Sequence, residues 1–178
     1  MLNNIDADNS VILTQKLMTN KTVARIAAVQ FYYAISLSAD QDNDKFSDWL
    51  FSFHKKREDY ITEDEEFGND YPQHINKAFF ELLKNNLSTY KAELEDIIKK
   101  YLTSNKQWDH NNIVLISVLA GGLCELNYIP STPIKVVVNE FTNIAANMLN
   151  DKEIAFVNFV LDDYAKNIDN SRSLVNAL

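Results

Sequence analysis

The 178-residue chain has one cysteine, three glycines and three prolines. A single thiol leaves no internal disulfide framework. So few turn residues exclude a β-sandwich or barrel, whose short strands need a turn signal every ~8–12 residues. No apolar run approaches the ~20 residues that cross a bilayer. The opening stretch MLNNIDADNS lacks the basic start and apolar core of a signal peptide, so a cytoplasmic protein is expected. Acid is missing from one place as well. Between Asn9 and Ala39 there is no Asp or Glu, yet Lys16, Lys21 and Arg25 lie there.

What is present suffices for a folded domain: 46% of residues are hydrophobic and 24% charged, in a chain of one-domain length. The net charge of -8, from 25 acidic and 17 basic residues, argues against a protein that coats nucleic acid non-specifically. The acid is concentrated in residues 40–48 and 58–70, so a basic face on an acidic molecule is expected.

Residues 1–18 read as a flexible polar leader, and 19–178 as a helical domain. Val23, Ala27, Phe31, Ala34 and Leu37 recur at spacings of three and four, predicting a helix over 22–38 capped by Thr19 or Asn20. A second helix over 44–56 turns Phe46, Leu50 and Phe53 inward, with Trp49 beside them. The acidic stretch 57–71 is expected to be a mobile loop. Pro72 suits the first turn of a third helix, with Ile75, Phe79, Leu82 and Leu83 as its buried stripe. Ser88 is the expected cap of a fourth helix, with Tyr90, Leu94, Ile98 and Leu102 inward. Asp109 is the expected cap of a fifth, which is apolar nearly all round over 113–120 and so belongs at the centre of a bundle. Gly121-Gly122 inside it costs helix propensity and implies close approach by a neighbour. Helices over 134–149 and 153–168 complete an all-α bundle of about seven.

No catalytic constellation emerges. His54, His74 and His110 are scattered, and none has a second His or Cys one turn away. Cys124 reads as a small core residue. There is no phosphate-binding glycine loop and no Gly-x-Ser-x-Gly elbow. Glu140 stands in an apolar setting, where a carboxylate more naturally ties donors of neighbouring helices than acts as a general acid. The chain therefore reads as a binding protein, not an enzyme, with no metal or cofactor.

Three stretches, in order, resemble one family. Ala24-Arg25 through Ala28-Val29-Gln30 to Tyr33 is similar to an Ala-Arg-x-x-Ala-Val-Gln-x-x-Tyr signature. Glu125-Leu126, Pro130 and Lys135-Val136-Val137-Val138-Asn139-Glu140 resemble its Glu-Leu…Pro…Lys-Val-x-Ile-Asn-Glu. Phe156-Val157-Asn158-Phe159-Val160-Leu161-Asp162 resembles its Phe-Val-Asn-Gly-Val-Leu-Asp. These belong to the NusB family of bacterial antitermination factors and related RNA-binding domains. The resemblance implies a seven-helix bundle and pairing with the ribosomal protein NusE. It also implies binding of boxA-type single-stranded RNA from ribosomal RNA operons, within the transcription elongation complex.

Carried over by position, the implied RNA-binding residues are Arg25, Tyr33 and Phe156, with Lys21 at the basic helix start. Lys152 is added on charge alone, four residues before Phe156. In this reading Arg25 is a guanidinium fork for phosphate, and Tyr33 and Phe156 are stacking platforms. Arg25→Ala is then expected to weaken RNA binding without lowering thermal stability. The basic start is thin, since Thr22 and Val23 stand where further basic residues are common, and Phe159 replaces the family's glycine. Two alternatives stay open. One is a stand-alone RNA-positioning domain of the kind that precedes some ribosomal RNA methyltransferases, whose catalytic half is missing here. The other is an interaction protein whose acidic surface docks a basic ribosomal protein without RNA. Self-association as a homodimer is also open.

Overall fold

A computed structural model of the protein describes residues 20–37, 43–56, 75–104 and 112–175. The expected leader over 1–18 and the whole of the expected acidic loop over 57–71 lie outside these residues, as do Pro72 and Asp109. Among the described residues there are seven helices and no strand. They are α1 (Asn20–Leu37), α2 (Asn43–Lys56), α3 (Lys77–Thr89), α4 (Lys91–Ser104), α5 (Ile113–Tyr128), α6 (Ile134–Ala146) and α7 (Asp151–Val175). None is long and apolar enough to cross a membrane.

The all-round apolar character of α5 decides the architecture. A helix without a polar face must be covered on every side, and α1, α3, α4, α6 and α7 all pack against it. Leu115, Val118, Leu119, Leu123 and Cys124 are fully buried there. Each large aliphatic side chain so removed from water contributes ~1.5–3 kcal/mol. The glycine pair does what its position implies. A Cβ on Gly121 would fall 2.6 Å from Phe141 Cε1, and one on Gly122 2.7 Å from Leu161 Cδ2. Without side chains at these two positions, α6 and α7 settle directly onto the backbone of α5.

Asparagines start three of the helices, because a short amide oxygen can accept an orphan amide proton. Asn76 Oδ1 accepts from the Phe79 amide at 3.0 Å, and Asn112 Oδ1 from the Leu115 amide at 3.1 Å. Asn150 Oδ1 accepts from the amides of Lys152 and Glu153, while Glu153 Oε2 accepts from the Asn150 amide at 3.0 Å. This reciprocal capping box begins α7 at Asp151, two residues before the periodicity places it. Ser88 is no cap; it lies within α3. The chain turns at Tyr90, whose amide donates to the Asn86 carbonyl. Tyr90 is not inward either, but exposed and stacked on Tyr128 with ring centroids 3.9 Å apart.

Candidate functional site

The first two resembling stretches meet in one place. Arg25, on the first half of α1, is 2% exposed. Its Nε donates to Glu125 Oε2 at 2.8 Å and its Nη2 to Glu125 Oε1 at 2.7 Å. Its Nη1 donates to Glu140 Oε2 at 3.3 Å. The Thr22 hydroxyl donates to the same Glu140 oxygen at 2.5 Å. One guanidinium thus binds a carboxylate from α5 through a two-pronged fork and a second from α6 through one bond. Such charge-assisted, bidentate geometry is what makes a buried ion pair tolerable. Glu140 ties donors of a neighbouring helix, as its apolar setting suggests. The Phe79 ring from α3 closes the cluster, with Arg25 Cζ and Lys21 Nζ each 5.1 Å from its centroid. Cations over an aromatic face are attracted by its quadrupole.

This geometry changes the role expected of Arg25. Its donors are directed at internal carboxylates, and water does not reach it, so it holds α1 to α5 and α6 instead of offering a fork to phosphate. Phe156 is likewise no platform: it is 4% exposed and packed in the core at the start of α7. Phe159, by contrast, is exposed, so its ring fills no close approach.

The other three candidates face solvent. Lys21 stands in the first turn of α1. Tyr33, 38% exposed, stands twelve residues further on, roughly 18 Å along the helix at 1.5 Å per residue. Lys152 is exposed in the first turn of α7. Tyr33 and Met148 line the same groove, and Lys152 follows Met148 by four residues, so Tyr33 and the start of α7 share one end of the bundle. Lys21 lies toward the other end, beside the buried charge cluster.

The groove at Tyr33 is the feature the sequence reading missed. Trp49 and Phe53 of α2 were expected at or beside the core, but they are 57% and 47% exposed. Among the described side chains of α2, Leu50 is the buried apolar one. With Phe46, these two rings form a ladder along α2, each neighbouring pair 5.6 Å apart between centroids. Facing Tyr33 and Leu37 of α1, they wall a groove of about 680 Å³. The available signal was an aromatic at both Trp49 and Phe53 where a two-turn contact face needs only Leu50 and Phe46. Among the described residues no group of three metal-ligating side chains occurs.

Comparison with known proteins agrees with this assembly. The NusB family model matches residues 22–166. The transcription antitermination proteins NusB of Rickettsia massiliae and Rickettsia conorii are each 36% identical to the chain over 158 residues. The match covers 86% of this chain and 96% of each relative. The Rickettsia bellii protein of the same name is 33% identical over 153 residues. A solved structure of T. maritima NusB shares the fold, with a TM-score of 0.59 at 20% identity over 82% of this chain and 90% of that one. With a match running from Thr22 to Lys166 and relatives aligned along almost their whole length, the chain belongs to the NusB family of transcription antitermination proteins.

Proposed function

We propose that this chain is a transcription antitermination factor that binds boxA-type single-stranded RNA of ribosomal RNA operons together with NusE. The observation that carries the reading is the family match over 22–166, joined to relatives that bear the antitermination name along 96% of their length. The residues proposed to meet RNA are Lys21, Tyr33 and Lys152. Arg25 and Phe156 support the site from within. Lys152 stands in a helix's first turn, where the macrodipole disfavours a cation. An anion brought to that turn relieves the conflict. With so few cations, few counterions are released, and affinity is expected to depend on the NusE partner.

A second reading draws on the burial of Arg25 and the net charge of -8: a module that docks a basic ribosomal protein and ignores RNA. Titration of labelled boxA-type RNA, with and without NusE and beside a scrambled RNA, separates the two. Sequence-preferring binding strengthened by NusE supports the antitermination factor. NusE binding with RNA affinity absent for both sequences refutes it and favours the docking module.

A further inference from the structure

We infer that the groove between α1 and α2 is a base-stacking subsite, taking unpaired bases of a single-stranded RNA against Tyr33, Trp49 and Phe53. The inference rests on the RNA-binding reading above and adds α2 to it.

Exposed aromatic rings stand on both sides of the groove, Tyr33 on α1, beside exposed Leu37, and Trp49 and Phe53 on α2. The α2 rings are close to parallel, at 28° between Phe46 and Trp49 and 21° between Trp49 and Phe53. Their centroid separation of 5.6 Å exceeds direct face-to-face contact, so the stacks are offset. A ladder of parallel faces is the shape that a run of unpaired bases continues, and every base has such a face.

Charge points the same way. Among the described residues the lining is uncharged, which suits inserted bases better than phosphates. Lys45 is exposed four residues before Trp49 on α2, and Lys152 is exposed at the start of α7, four residues after Met148 in sequence. Asp48 is exposed on α2 but does not line the groove. Stacking also answers the shortage of guanidinium at the start of α1. Base–aromatic contact is insensitive to salt, whereas phosphate contact is not.

The chain holds two tryptophans, Trp49 and Trp108, so a Trp108→Phe variant reports from Trp49 alone. Titrated with a twelve-nucleotide boxA-type RNA in the presence of NusE, its fluorescence should be quenched as bases stack. Trp49→Ala should weaken binding by roughly 5- to 150-fold without changing the salt slope, and Trp49→Phe should restore most of the loss. The same oligomer with abasic residues should bind wild type no better than Trp49→Ala does. Unaltered thermal midpoints, expected for a side chain this exposed, show that the variants are folded. RNA binding that leaves Trp49 silent and unaffected by substitution overturns the groove while sparing the RNA reading. A Trp49 response to NusE alone, with none added by RNA, makes the groove a protein site and overturns the inference. No RNA binding by wild type in any condition overturns both.

Discussion

Replacing Arg25 by alanine is the sharpest perturbation of this fold. The substitution leaves Glu125, fully buried, without either guanidinium bond, and leaves Glu140 with the Thr22 hydroxyl. Removing one partner of a buried pair costs ~3–5 kcal/mol, because the remaining charge stays desolvated. For a chain of this size each kcal/mol shifts the melting temperature by ~2–4 °C, so a drop of about 6–20 °C is expected. Thermal and urea unfolding followed by far-UV circular dichroism measure it directly. Adding Glu125→Gln to Arg25→Ala removes one stranded charge and should recover part of the loss. RNA affinity, measured at a temperature where both proteins are folded, should fall little. An Arg25→Ala protein that melts within ~2 °C of wild type but loses most of its RNA affinity would refute the reasoning and restore Arg25 to the surface.

Gly121→Ala should destabilise by ~1–3 kcal/mol despite a propensity gain of ~1 kcal/mol, since its Cβ meets the buried Phe141 ring; a raised urea midpoint would contradict the packing. Asn150→Ala removes the capping oxygen of α7 and should cost ~1 kcal/mol, with unchanged stability counting against the capping box. Burial pushes the Cys124 thiol up to about 12, so native protein should resist thiol reagents at pH 8 and react once unfolded. The same shift fixes the sign of the alkaline response. Below pH ~8.5 the thiol is neutral in both states; above it the unfolded chain loses the proton first, so stability falls as pH rises toward 12. Burial also raises Tyr32, beside Glu95, and adds to the same trend. A urea midpoint constant from pH 8.5 to 11 would contradict both assignments.

Most of the architecture is legible in the chain because helical burial repeats every 3.6 residues. The boundaries of α1, α2 and α6 fall within three residues of expectation, and the glycine pair announces its close contacts. What is not legible is the rotation of a helix about its axis. The expected stripe of α1 runs through Val23, Ala27, Phe31, Ala34 and Leu37. Ala27 and Phe31 are buried as expected, but the buried face extends to Ala24, Ala28 and Tyr32 instead of Val23, Ala34 and Leu37, and it takes Arg25 inside. A lone arginine among alanines reads as surface until its two carboxylates, a hundred or more residues away in sequence, are seen to converge on it. Phe156 lies one turn before the buried Val160 and shares the core face of α7. Helix starts were missed where asparagines cap α3, α5 and α7, and where α3 runs on through Ser88. The exposure of Trp49 and Phe53 was hidden because period alone marks which face is apolar, not whether anything covers it.

In the proposed site, phosphate contacts come from exposed lysines and not from the family arginine. The most direct measurement is the salt dependence of RNA affinity for wild type, Lys21→Ala and Lys152→Ala. Each phosphate neutralised on a single strand contributes ~0.7 to the slope of log affinity against log salt. Each substitution should therefore make the slope shallower by about 0.7 while leaving the melting temperature unchanged. Slopes identical to wild type in both variants would contradict the account.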